Sequence, residues 1–304
     1  MKKNFDTLAA DLRRVVVTSS RFKPVAHGLA SELAASLRDL GVDVTLDLPG
    51  TSPLAETAAN ADLIIAVGGD GTLLATARRL VGTLTPAVGV NLGKLGFLAE
   101  HSPAEVRAYL AGARPDGWQF SPKMMLQVAL NGTEDYHYAL NEVFIGQGVM
   151  TRLLDLDLSV DGQHATQYRA DSLVVSTPVG STAYTLSLGG PIVSQGLRAF
   201  VITPVAPHTP TNRPIVIEGS SRITCTVQTQ AEELALIVDS QERLALAPGD
   251  CFTVSAAPTD FLLVSSGKRS YFDTLRHKLA WGQQPVLSDY GEAYDETQDE
   301  MLDE

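Results

Sequence analysis

Residues 61–67, ADLIIAV, contain almost no polar position. A strand of that composition belongs in a sheet covered on both faces, since neither side of it would be left to water. Covering both faces takes helical crossovers, and the flanking chain supplies them. RVVVT (14–18) and VTLDL (44–48) are further short strands, and PAVGVNLG (86–93) holds a fourth. VAHGLASELAASLRDLGV (25–42) and LLATARRLVG (73–82) read as helices, the first closing at Gly41 as its C-cap. Ser102-Pro103-Ala104-Glu105 reads as a capping box, with proline at the first helical position, opening AEVRAYLAG. Residues 1–120 therefore predict an α/β domain, a parallel sheet with helices on both faces.

After GARPDGW (112–118) the texture changes. MLQVAL and TEDYHYAL flank Asn131-Gly132, and LLDLDLSV and QHATQYRA flank Asp161-Gly162, each pair reading as a hairpin. RITCTVQT, LALIVD, RLALAPGD, CFTVSA and FLLVSS continue the short alternating runs, so 121–270 predicts a predominantly β domain. YFDTLRHKLAWG returns to a helical pattern, expected over 271–288 to pack back on the first domain. Residues 289–304 carry eight acidic and no basic side chains, hence eight of the twelve excess negative charges in the net −12. Such a segment is expected to be disordered and solubilising.

The remaining body is only mildly acidic and offers no nucleic-acid footprint. The chain of 304 residues is 44% hydrophobic, with no run near the ~20 apolar residues of a membrane span. Its start lacks a signal-peptide core, so a cytoplasmic location is expected. Cys225 and Cys251 lie in strand-like runs and read as buried thiols rather than a disulfide. No Cys or His spacing fits a protein-built metal site.

The chemistry concentrates at the carboxyl end of the buried strand, where ligands of open α/β sheets bind. Gly68-Gly69-Asp70-Gly71-Thr72 joins that strand to the next helix. Glycines let backbone approach a ligand closely, and the unpaired amides of a helix start favour phosphate oxygens. An acid beside phosphate needs a reason: a general base, a metal-orienting carboxylate, or the ordinary preference of tight turns for Asp and Gly. YALNEVFIG places Asn141 and Glu142 on opposite faces of an apolar strand, so at least one is buried and needs a partner. RADSLVVSTPVGSTAYTLSLGGPI gathers the hydroxyls of Ser176, Thr177, Ser181, Thr182 and Tyr184, which reads as a sugar- and amide-binding rim. NLGKLGFLAE ends the fourth strand, with Phe97 placed either to stack on a base or to join the core.

GGDGT, NLGKLGFL, NEV and STPVGSTAY, in this order, closely resemble the NAD kinase family. The resemblance runs over roughly residues 60–240 and takes in PVAPHTPTNRPIV and VDSQ. It implies transfer of the terminal phosphate of ATP to the 2′-hydroxyl of the adenosine ribose of NAD, giving NADP. By that resemblance Asp70 is the catalytic base, and Gly68, Gly69, Gly71 and Thr72 lie against phosphates. Phe97, Asn141, Glu142, Thr182, Ala183 and Tyr184 would line the NAD site. Asp171 would reach a site across a subunit contact, implying a homodimer or homotetramer, and Arg169 matches a position tied to preference for NAD over NADH. The first domain would bind phosphate and the second NAD, with Mg2+ or another divalent cation accompanying ATP.

The chain departs from the family pattern at Lys94, where histidine is common, and at Ser172 and Ser240, where glycine is usual. A lipid kinase of the diacylglycerol type shares a GGDGT turn and is one alternative. It should carry a membrane-facing basic or amphipathic element, and none is evident. A non-catalytic NAD(P)-binding sensor is another, disfavoured by the intact Asp70. A dehydrogenase is not supported, because no GxGxxG follows a strand.

Overall fold

The computed structural model describes residues 12–20, 22–48, 54–93, 96–110, 119–148, 153–209, 211–229 and 233–280. Lys94, GARPDGW and the acidic tail lie outside the described residues. Residues 1–266 form one compact unit and 267–304 a second.

The first unit opens with strands β1 (Arg14–Ser19), β2 (Asp43–Asp47), β3 (Leu63–Gly68) and β4 (Ala87–Asn91), all mutually parallel where they pair. Two later strands complete this sheet, β5 (Gln119–Lys123) and β18 (Phe261–Ser265), in the order β2-β1-β3-β4-β18-β5. FLLVSS is thus a strand, as its pattern predicts, but it lies parallel to β4 in the first sheet, with β5 antiparallel at the edge.

Every residue of β3 is buried, and its side chains alternate between two cores. Leu63, Ile65 and Val67 face helix α1 (Pro24–Asp39) and helix α4 (Pro103–Leu110). Ile64 and Ala66 face helix α2 (Leu54–Ala58), which was not anticipated from the sequence, and helix α3 (Asp70–Arg79). Each fully buried Leu, Ile or Val side chain contributes about 1.5–3 kcal/mol, and β3 places such side chains in both cores of this sheet.

Local signals end the helices where the sequence places them. Gly41 takes φ +81°, its N–H donates to the Arg38 carbonyl and that of Val42 to the Leu37 carbonyl, closing α1. Ser102 and Glu105 exchange backbone-to-side-chain bonds of 2.8 and 3.2 Å, the reciprocal capping box ahead of Pro103. At the end of α3, Arg79 clasps the buried Asp47 of β2 through bonds of 2.7 and 2.9 Å.

Two antiparallel sheets follow. One contains β6 (Leu126–Leu130), β7 (His137–Ala139), β9 (Leu154–Val160), β10 (Gln163–Ala170), β14 (Ile223–Val227) and β17 (Cys251–Ala256), in the order β10-β9-β14-β17-β6-β7. The other contains β8 (Glu142–Gln147), β11 (Ser172–Ser176), β12 (Ala199–Val205), β13 (Ile215–Glu218), β15 (Leu234–Val238) and β16 (Glu242–Ala245), in the order β13-β12-β11-β8-β15-β16. Both contribute to a single core that includes Phe200, Phe252, Leu156 and Leu236. Asp161-Gly162 makes the two-residue turn between β9 and β10, both residues at positive φ. Asn131 and Gly132 also take positive φ, but β7 resumes only at His137. Cys225 and Cys251 are free thiols, and burial pushes that of Cys225 up to about 12.

In the second unit, helix α5 (Tyr271–Leu279) starts at a capping box between Ser270 and Asp273.

The turn joining β15 to β16 places Asp239 at φ +49° and Ser240 at φ +55°, with Gln241 N–H donating to the Val238 carbonyl at 2.9 Å. Ser240 thus holds a left-handed conformation that costs a non-glycine residue about 1–2 kcal/mol. Ser240→Gly is expected to raise stability by about 0.5–1 kcal/mol, after the larger unfolded-state entropy of glycine offsets part of the relief. Urea melts of the two proteins check this, and a destabilised variant would refute it.

Candidate active site

The site is built where β3 hands over to α3. Gly69 runs fully extended and its carbonyl accepts the first helical bonds, leaving Asp70 as the opening residue of α3. Negative charge is favourable there, beside the positive end of the helix dipole. The Asp70 carboxylate also reaches across to the loop after β4. Its Oδ1 accepts the N–H groups of Leu98 (3.1 Å) and Ala99 (2.9 Å), and Oδ2 that of Phe97 (2.8 Å). Three of the roughly four acceptor positions of a carboxylate are filled in this way, and the one left lies on Oδ2.

This arrangement sorts the glycines. A Cβ on Gly96 would overlap the Asp70 carboxylate, and one on Gly68 would overlap the Thr72 hydroxyl. Those two positions are therefore required by the protein's own close packing. Gly69 has no neighbour within 4 Å of the place a Cβ would occupy, and Gly71 has only the Gln241 amide at 3.7 Å. These two leave backbone open at the helix start.

A second set of backbone amides is gathered by Asp239. Its side chain is wholly buried, and its carboxylate accepts the N–H groups of Leu140 (3.0 Å), Asn141 (2.8 Å) and Glu142 (3.3 Å). Arg78 of α3 pairs with the same carboxylate at 3.2 Å. Burial pushes the Asp239 carboxyl up, while the three amides and Arg78 pull against it. Glu142 is 3% exposed, and among the described residues its Oε2 has no hydrogen-bond partner. Desolvation, and then the Asp239 charge, push its carboxyl up to about 8 against a backbone N–H donated by Tyr184.

The STPVGSTAY segment corrects one expectation. Ser176, Thr177 and Ser181 are fully buried and spend their hydroxyls internally rather than forming a rim. Thr177 Oγ1 donates to the Leu140 carbonyl (2.6 Å), Ser181 Oγ donates to the Pro178 carbonyl (2.7 Å), and Ser176 Oγ accepts from Thr185 (2.8 Å). The Thr177 bond docks the segment against the start of β8, where a Cβ on Gly180 would collide with the Asn141 backbone, and the other two brace the segment internally. Thr182, Ala183 and Tyr184 stay half-buried, and the Tyr184 ring meets Phe144 edge-on at 5.2 Å.

Asp70 and Phe97 thus meet directly, and Asn141, Glu142, Tyr184 and the Gly180 turn form a second contiguous group. One hydrophobic cluster, containing Leu73, Ala77, Leu98, Leu140 and Val179, lies beneath both. Arg169 and Asp171 are not brought to this place. Asp171 sits just before β11, at the opposite end of that strand from Ser176 and about 16–17 Å along it, and Arg169 lies near the end of β10 in the other antiparallel sheet. Arg169 lies 3.9 Å from Asp155 on an exposed face. No functional role was assigned to Arg78 or Asp239 from the sequence, where Arg78 lies within the helical run LLATARRLVG.

Two family models match the chain, the ATP-NAD kinase N-terminal domain over residues 7–113 and the ATP-NAD kinase C-terminal domain over 140–266. An NAD kinase of Geobacter sulfurreducens is 38% identical over 283 residues, covering 90% of this chain and all of that one. An NAD kinase of Geotalea daltonii is 36% identical with the same coverage. Among solved structures, an NAD kinase from Archaeoglobus fulgidus in complex with ATP is similar, with TM-score 0.70 and 27% identity, covering 88% of this chain and 98% of that one. A yeast NADH kinase complexed with NADH shares the fold, with TM-score 0.82 and 23% identity, covering 91% and 90%. The chain belongs to the NAD kinase family.

Proposed function

We infer that the chain transfers the terminal phosphate of ATP to the 2′-hydroxyl of the adenosine ribose of NAD, giving NADP and ADP. The observation that carries this reading is the single open acceptor position on Asp70 Oδ2, beside the open backbone of Gly69 and Gly71. In this mechanism Oδ2 takes the hydroxyl proton as the ribose oxygen bonds to the terminal phosphorus and the bond to the ADP oxygen breaks. The amides of the α3 start, Gly69 and Gly71 foremost, hold donor phosphates. Gly68 and Thr72 support that turn from behind. Phe97, Asn141, Glu142, Thr182, Ala183 and Tyr184 line the NAD side. Arg169 and Asp171 serve a site on a partner subunit of a homodimer or homotetramer, consistent with their distance from the site of their own chain.

A divalent cation such as magnesium fits the donor set, since an ion carried by nucleotide phosphates takes only one or two carboxylates from protein. The bound ion would neutralise charge on the phosphates and leave Asp70 Oδ2 to the hydroxyl proton. Among the described residues no helix is long and apolar enough to cross a membrane. Both family models support an NAD acceptor over a lipid one. NADP formation from NAD, ATP and magnesium by the purified protein tests the reaction. NAD bound without NADP produced would indicate a sensor.

Asp70→Asn is expected to lower turnover about 10²–10⁴-fold while NAD still binds. The same change turns an amide NH2 or a displaced oxygen toward the Phe97–Ala99 N–H groups, so about 1–2 kcal/mol of stability should go with it. Isothermal titration with NAD, beside NADP formation per folded molecule, separates the roles. Turnover near the wild-type value would remove Asp70 from the proton transfer.

Glu142 generates a pH dependence. Its carboxyl sits at about 8 in the folded chain against an ordinary 4.5, so folding favours the protonated form. That contribution is complete below about pH 4.5 and is lost as the pH rises through about 8. Glu142→Gln, which cannot ionise, should therefore gain in melting temperature relative to wild type on going from about pH 5 to about pH 9. Parallel melting curves for the two proteins across that range would refute it.

A further inference from the structure

We propose that Arg78, Asp239 and Gln241 are positioning residues for the phosphoryl transfer, acting as a two-point clamp that sets the GGDGT turn against the NAD-lining strand. The proposal rests on the NAD kinase reading and adds residues that touch neither substrate in it.

The clamp is a continuous path of hydrogen bonds. Gln241 Nε2 donates to the Gly71 carbonyl at 2.9 Å, in the first turn of α3. Arg78 Nη2 donates to Gln241 Oε1 at 2.7 Å, and Arg78 Nη1 to Asp239 Oδ2 at 3.2 Å. Asp239 in turn holds the amides of Leu140, Asn141 and Glu142. Gly71 and Arg78 are seven residues apart on one helix, hence about 10 Å along its axis. A helix held at one point can still tilt about it; held at two points by the same short turn, it keeps both its height and its tilt. Its first residue is Asp70, so the clamp fixes how far Oδ2 stands from the β7–β8 junction bearing Asn141 and Glu142.

Apolar packing does not do this alone. Leu73, Leu74 and Ala77 give α3 its adhesion, but hydrophobic contact is non-directional and leaves sliding cheap. The planar guanidinium fork, engaging a carboxylate and an amide oxygen together, supplies direction. Phosphoryl transfer depends mainly on positioning, and a misplacement of about 1 Å costs on the order of 10²-fold in rate.

Two variants test it without removing the buried carboxylate. Gln241→Ala cuts the path to Gly71, and Arg78→Lys keeps a cation for Asp239 but loses the fork. Each is expected to lower kcat about tenfold, with KM for NAD and ATP within about twofold of wild type. The double variant should be little worse than either single one, because both break the same path. In hydrogen–deuterium exchange, Gln241→Ala should speed exchange in peptides from the first two turns of α3 relative to wild type. Unchanged kcat in folded Gln241→Ala, additive losses in the double variant, or unchanged exchange in α3 would each overturn the clamp. Wild-type protein assayed alongside keeps the two readings apart. If it makes no NADP, the reaction reading fails, and the exchange measurement still decides the clamp.

Discussion

The wholly buried carboxylate of Asp239 organises the site. A bare carboxylate in that position would be prohibitively costly to desolvate, so it persists only because three amides and a guanidinium converge on it. Each donor comes from a segment that must stay where it is for the charge to remain solvated by protein. The amides belong to the junction of β7 and β8, and the guanidinium belongs to α3. One desolvated charge thereby couples the α/β sheet to the β-rich part through hydrogen bonds with direction, above a hydrophobic cluster that supplies adhesion.

Asp70 repeats the device at the other side of α3. It too is a carboxylate holding three consecutive amides, here those of the loop after β4. The two acids differ in what remains. Asp239 is wholly enclosed and fully committed to structure, whereas Asp70 is half-exposed and keeps one acceptor position. In the proposed mechanism a group held rigidly by most of its lone pairs, with one left over, is preorganised to take a single proton at a single place. Glu142 is a third variant, a buried carboxyl short of donors, and its upward-shifted titration is the direct consequence.

The glycines of the motifs divide along the same line. Gly68, Gly96 and Gly180 are small because a neighbouring side chain or backbone occupies the space a Cβ would take. Gly69 and Gly71 have open space, and they alone in GGDG fit the idea of backbone laid bare for phosphate. Likewise the Thr177 hydroxyl docks its loop on the Leu140 carbonyl, while those of Ser176 and Ser181 brace the loop from within. A motif rich in polar residues near a site is thus partly the scaffold of that site.

What the sequence determined by itself is whatever a short window of chain decides. The two-faced burial of β3, the Gly41 helix stop, the Ser102 capping box and the Asp161-Gly162 hairpin all follow from local periodicity, capping and turn chemistry. The ordered motifs likewise placed the family. Tertiary structure decided the rest: that β18 joins the first sheet, which Asp70 oxygen stays open, and which glycines are packed rather than bare. It alone brought Arg78 to Asp239 and Gln241, and Gln241 to Gly71, partners 161 to 170 residues apart. The physical reason is that a guanidinium in a helical pattern has the same local signature whether it ends in water or on a buried carboxylate. Only the folded topology brings the second partner within reach.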